Sequence, residues 1–126
     1  EKLASREQTQ LYCQETIHRK RDLRITVLPK EMIAAEVDTS SLPGNRVDWR
    51  QDCLQVQHRI VELPDDFQKQ IREYLRVMGL KAGYFDFAVP DDGPPVFFEC
   101  NTNAQWLWIE NMTKHPISAA IARALT

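Results

Sequence analysis

Two apolar-rich runs near the end of the chain, residues 84–89 and 95–100, are joined by Pro90-Asp91-Asp92-Gly93-Pro94. Asp-Gly between such runs is a strong hairpin signal, since its backbone twist suits a tight turn between antiparallel strands. A turn centred on Asp92-Gly93 sets Asp86 opposite Glu99. Side chains alternate along a strand, so Asn101 shares the face of Glu99. Two carboxylates directly opposite repel each other and weaken a sheet. A hard divalent cation removes that repulsion, and Asp, Glu and an Asn carbonyl are the oxygen ligands it prefers. Asp86, Glu99 and Asn101 therefore form a candidate Mg²⁺ site. Acidic residues on a half-exposed hairpin are more often only its solvated face. A three- or five-residue loop would also shift the register by one and turn Asp86 to the other side.

Upstream, the pattern reads as strands followed by a helix. LYCQETI (11–17) and DLRITVL (22–28) are strand candidates; in the second, Leu23, Ile25 and Val27 alternate with Arg24 and Thr26. Lys30-Glu31 turns the chain into MIAAEVD (32–38), an apolar run that pairs with the strand before it. Residues 39–50 carry the loop formers Ser, Pro, Gly and Asn. Leu54, Val56, His58 and Ile60 alternate with Gln55, Gln57 and Arg59, giving a strand with one wet face. The clearest helix is 64–78. Pro64 suits its first turn, and Asp65 and Asp66 sit where the helix dipole favours negative charge. Phe67, Ile71, Leu75 and Met78 form its core stripe, and Gly79 stops it. Pro116 opens a second helix through Ala124. Trp106, Trp108 and Ile109 read as core filler, with Trp106 close enough to the metal strand to wall a ligand pocket. The sum is an α+β fold, a mostly antiparallel sheet with flanking helices.

At 126 residues the chain makes one domain, 1–126, in which residues 1–10 are polar and read as a linker or the end of a helix. A net charge of −2 gives no electrostatic case for nucleic acid or a membrane surface. No apolar run approaches the roughly 20 residues of a membrane span. Cys13, Cys53 and Cys100 are odd in number and widely spaced. They read as buried small hydrophobes of a reduced, cytoplasmic protein. His18, His58 and His115 show no zinc-site spacing, and His58 reads as a hydrogen-bonded, partly buried histidine. A Gly-rich phosphate loop of the Walker or dinucleotide-binding type is absent.

The run FFECNTNAQWLWIE (97–110) resembles the metal-binding strand of the ATP-grasp ligases, which ends in Glu-x-Asn after an upstream Asp. More narrowly it resembles the peptide-modifying branch that makes microviridin-type cyclised peptides (graspetides), where Glu-Cys-Asn-Pro-Asn-Gly-Gln-Trp is typical. Gln14-Glu15-Thr16-Ile17, Asp22-Leu23-Arg24-Ile25-Thr26-Val27, Asp48-Trp49-Arg50 and Pro116-Ile117-Ser118 follow in that family's order. Thr102 and Ala104 replace the usual Pro and Gly, which leaves the ligands intact and changes the loop after them.

The resemblance implies a C-terminal ATP-grasp subdomain whose N-terminal partners, with their lysine-bearing phosphate-covering loop, lie outside these 126 residues. It implies ATP and Mg²⁺, with two ions expected, and metal ligands Asp86, Glu99 and Asn101. Glu15 and Thr16 match a hinge that touches adenine through backbone groups. Asp22 matches a residue facing the ribose hydroxyls; read from the residues alone it is equally a turn-forming Asp before a strand. Arg24 matches a group that holds the transferred phosphate, and its permanently charged planar fork suits phosphate oxygens. Without the resemblance, a surface ion pair with Glu36 is the simpler reading. Arg50 matches a second phosphate-binding arginine, with a solvated loop arginine as the alternative.

The activity implied is ATP-dependent activation of a peptide side-chain carboxylate as an acyl phosphate, followed by amide or ester formation within a precursor peptide. Three other readings stay open. One is a glutamate ligase of the ribosomal-protein-modifying type. Another is a non-catalytic peptide-binding module. The third is a fragment that merely folds, with exposed strands through which it could pair with itself; the resemblance to ligases that often work as dimers leaves a homodimer open.

Overall fold

Strand β1 (Arg19–Val27) organises the molecule because both of its faces are covered. Leu23, Ile25 and Val27 point to one side and are at most 6% exposed, while Asp22 and Thr26 on the other side are also buried. A strand buried on both faces belongs at the centre of a sheet, and β1 lies there. In this computed structural model, which describes residues 13–42, 55–103 and 105–126, five strands run in the order β3-β2-β1-β4-β5. The others are β2 (Met32–Asp38), β3 (Gln57–Val61), β4 (Gly83–Pro90) and β5 (Val96–Asn101), and every pairing is antiparallel.

Helix α1 (Asp65–Val77) covers one face of the sheet. Its buried Ile71 and Leu75 pack against Leu23, Ile25, Val27, Phe85 and Phe87, with Phe67 and Tyr74 closing the sides. Each of those two residues contributes about 1.5–3 kcal/mol by leaving water. Met78, expected in the stripe, is 56% exposed because the helix ends at Val77. Gly79, at φ 66°, makes the left-handed stop, and Leu80 N donates to Leu75 O at 2.9 Å to close the last turn.

Helices α2 (Leu107–Thr113) and α3 (Ile117–Leu125) cover part of the other face. Ile109, Ile117 and Ala120 pack on Leu28, Ile33 and Ala35, and Trp106 and Trp108 lie against that cluster. The α2 helix was not expected from the aromatic run. It is short, starts without a side-chain cap and stops at Lys114 with φ 59°, so its stability comes from packing rather than from local signals.

The remaining expectations divide. The pairing of 22–28 with 32–38 is present; the strand through His58 and Ile60 begins only at Gln57, with Gln55 and Val56 in a turn before it and Ile60 exposed. The described part of the LYCQETI run, residues 13–17, forms no strand. Its exposed Gln14-Glu15-Thr16 offers no apolar face to bury. Residues 1–12 and 43–54, which include Arg50 and Cys53, lie outside the described residues. Cys13 is exposed, contrary to the expectation that all three cysteines are buried; Cys100 is half-buried against the α1 core.

The hairpin register needs a correction of its own. Asp86 does face Glu99, and Tyr84 faces Asn101. Nearer the turn, Phe87 pairs with Phe97 and Ala88 with Val96, one residue out of step. A bulge at Phe98 restores the expected alignment before Glu99 is reached.

Gly83 at the start of β4 lies where a Cβ would meet Leu75 Cδ2 at 2.8 Å and Cys100 Sγ at 2.9 Å. Gly83→Ala is expected to lower stability by about 1–3 kcal/mol through overpacking, read as a lower urea midpoint at unchanged slope.

Candidate functional site

The face of the sheet opposite α1, the one on which α2 and α3 pack, also carries a row of polar residues. Arg24 on β1 lies directly across from Asp86 on β4, and Asp86 directly across from Glu99 on β5. The pairing places three charged side chains in line across three strands. Arg24 meets Asp86 through two contacts, Nε to Oδ1 at 2.7 Å and Nη2 to Oδ2 at 2.9 Å. The arginine side chain is 21% exposed and the aspartate 11%, so water screens this pair only in part. A planar fork meeting both oxygens is the strong form of such a contact. The Arg24 guanidinium carbon also lies 5.3 Å from the Trp108 ring centre, within range of a cation–π attraction.

Glu99 is exposed, and Asn101 Nδ2 donates to its Oε1 at 3.0 Å. The two residues share a face, as alternation requires. Arg24 balances the charge of Asp86, so repulsion from Glu99 does not by itself demand a cation, contrary to the expectation from sequence. The donors nevertheless suit one. Among the described residues no group of three or more His, Cys, Asp or Glu is placed to hold a metal ion. Asp86, Glu99 and Asn101 instead offer two carboxylates and an amide oxygen, hard donors that match Mg²⁺ and not a thiolate- or imidazole-seeking metal.

Asp22 lies on the same face as Arg24, inside β1 and not in a turn before it. It is buried, and Arg19 grips it through Nε to Oδ1 and through Nη2 to Oδ2 at 3.2 Å. Arg19 also donates to Ile17 O at 3.3 Å and stacks over Phe98 at 5.2 Å. Arg19 therefore links the segment before β1 to the bulge in β5. Glu15 and Thr16 are exposed in that segment.

The ion pair of Arg24 with Glu36 that the sequence allowed does not form. Glu36 faces Leu23, on the α1 side of the sheet, where Arg59 reaches it at 2.5 and 2.8 Å and Arg21 at 3.6 Å. Sequence reasoning missed Arg19, Trp108 and Tyr84 as neighbours of the row. Arg19 carried no signal in its spacing, since three residues along a regular strand lead to the opposite face; the irregularity between Arg19 and Arg21 brings it to the side of Asp22. Tyr84 stacks on Trp106 at 6.1 Å, and burial pushes its hydroxyl pKa up.

Trp108 reaches further, meeting His58 edge-on at 5.3 Å. Burial lowers the His58 pKa, partly offset by a hydrogen bond to the Val56 backbone. A depressed pKa means that the unfolded chain binds the proton more readily, so His58 costs stability as pH falls below its usual 6.5. The stability difference between wild type and His58→Gln is expected to shift against wild type between about pH 7.5 and about pH 5, checked by urea melts of both. A difference independent of pH would place His58 in water.

No protein-family model and no curated protein matches the sequence. Solved structures do. Macrocyclase MdnC from Microcystis aeruginosa MRC, bound with precursor peptide MdnA, superposes with a TM-score of 0.69 at 30% identity over 85% of this chain. The RiPP-associated ATP-grasp ligase of Chryseobacterium gregarium, in complex with ADP and a leader and core peptide, gives 0.74 at 32% identity over 86%. ATP-grasp ligase PsnB, complexed with a phosphomimetic precursor variant, Mg and ADP, gives 0.68 over 84% at 19% identity, a likeness of fold alone. The chain spans 33%, 34% and 32% of these proteins. It has the fold of a portion of the ATP-grasp ligases and, within them, resembles the graspetide-type, peptide-macrocyclising branch.

Proposed function

We propose that this chain is the nucleotide- and metal-holding C-terminal subdomain of an ADP-forming ligase that joins side chains within a precursor peptide. The observation that carries this reading is the aligned row Arg24, Asp86, Glu99 and Asn101, on a fold shared with peptide-bound ligases. The other subdomains of such a ligase supply the second wall of the nucleotide site.

Asp86, Glu99 and Asn101 hold Mg²⁺, with room in the reading for two ions. When bound, the metal offsets charge on the phosphate oxygens. Arg24 and Arg50 orient the γ-phosphoryl group as it passes to a peptide carboxylate, with release of ADP. Attack on the resulting acyl phosphate by an amine or hydroxyl releases phosphate and forms the amide or ester. Asp22 accepts hydrogen bonds from the ribose, and the backbone of Glu15 and Thr16 meets the adenine edge. The protein works by positioning and by fixed charge, the usual means of phosphoryl-transfer catalysis. Among the described residues no helix is long and apolar enough to cross a membrane; we place the ligase in the cytoplasm, with its ATP.

Glu99→Gln in the ligase that carries this chain removes one charged donor and keeps the shape of the side chain. Mass spectrometry of the peptide product should show ring formation slowed by at least about a hundredfold, the scale of losing a fixed electrostatic partner in a transition state. Ligation at an undiminished rate would remove Glu99 from the metal site.

A further inference from the structure

Asp86 stands in two sets of contacts. It is the shared oxygen donor of the proposed cation site, and both of its carboxylate oxygens are engaged by Arg24. A cation arriving alone must separate a two-point, charge-assisted pair. It must also settle beside a positively charged guanidinium. Phosphate oxygens arriving with the cation change the balance. They offer Arg24 a replacement anion of matching geometry and free Asp86 for the metal.

From this geometry we infer that Arg24 is the resident counter-ion of Asp86, and that cation and nucleotide phosphate enter the site in a coupled exchange. The inference rests on the functional reading above, because it takes Asp86 as a cation ligand. Bare cation binds weakly while Arg24 holds Asp86. Phosphate draws Arg24 away and thereby strengthens cation binding; by linkage, the cation strengthens phosphate binding by the same factor. Trp108, beneath the guanidinium, gives it a surface to stay on as it turns. Arg19 provides an internal contrast, being a second arginine on the same face whose partner is Asp22.

The test uses the ligase that carries this chain, ¹⁵N-labelled in these residues, following the Arg24 Nε–H signal and the backbone amides of Asp86, Glu99 and Asn101 by NMR. Mg²⁺ alone should leave all four signals near their starting positions at a concentration that shifts them together once ADP is added. Amides that saturate with Mg²⁺ alone while Arg24 Nε–H stays fixed would overturn the exchange and leave the cation site standing. Amides that respond to neither Mg²⁺ nor Mg²⁺ with ADP would overturn the functional reading and the exchange together. An affinity comparison gives a second arm. Arg24→Gln should bind Mg²⁺ alone at least about fivefold more tightly than wild type, in the range of typical site-to-site coupling. Arg19→Gln, which also removes one positive charge from that face, should change the affinity far less. An equal gain in both variants would reduce the effect to net charge and end the proposal.

Discussion

The ion pair between Arg24 and Asp86 is the constraint around which the polar face is arranged. Strand β1 is buried on both sides, so the polar side chains it carries must find partners inside the protein. Asp22 finds Arg19 from its own strand, and Arg24 finds Asp86 from the next. Removing one member of such a pair leaves a poorly solvated charge, which commonly costs about 3 kcal/mol or more. The pair thus fixes how β1 and β4 meet. Through Asp86 it also fixes where Glu99 and Asn101 stand.

Burial separates the two carboxylates of the row. Asp86 is enclosed and already balanced, whereas Glu99 at the sheet edge is open to solvent. A ligand approaching from the edge meets the exposed carboxylate first and the guarded one last. That difference suits a site that takes up charge together with its counter-charge. It explains why the same few residues serve both structure and proposed chemistry. The apolar layers on the two faces help to keep the strands from sliding, which holds the row in line.

Much of this was readable in the residues. Leu23, Ile25 and Val27 announced β1, Ile71 and Leu75 announced the buried stripe of α1, and Asp92-Gly93 announced the hairpin. The facing of Asp86 and Glu99 came out as expected by a different route. The turn sets the register one residue off, and the bulge at Phe98 sets it right; no local signal marks that compensation. The partner of Arg24 was also hidden. Choosing Asp86 over Glu36 requires knowing that β1 has β4 as its second neighbour and which face each carboxylate occupies. Those are facts of topology. Helix α2 was hidden for the same reason, since its stability is supplied by the sheet it packs on.

If Asp86, Glu99 and Asn101 hold metal and nucleotide together, ADP binding must depend on the cation. Calorimetric titration of ADP into the ligase that carries this chain, once in Mg²⁺ and once in EDTA, reads that dependence. Binding should require Mg²⁺ and disappear in Asp86→Asn. ADP binding of equal strength in EDTA, or binding untouched by that substitution, would rule the site out.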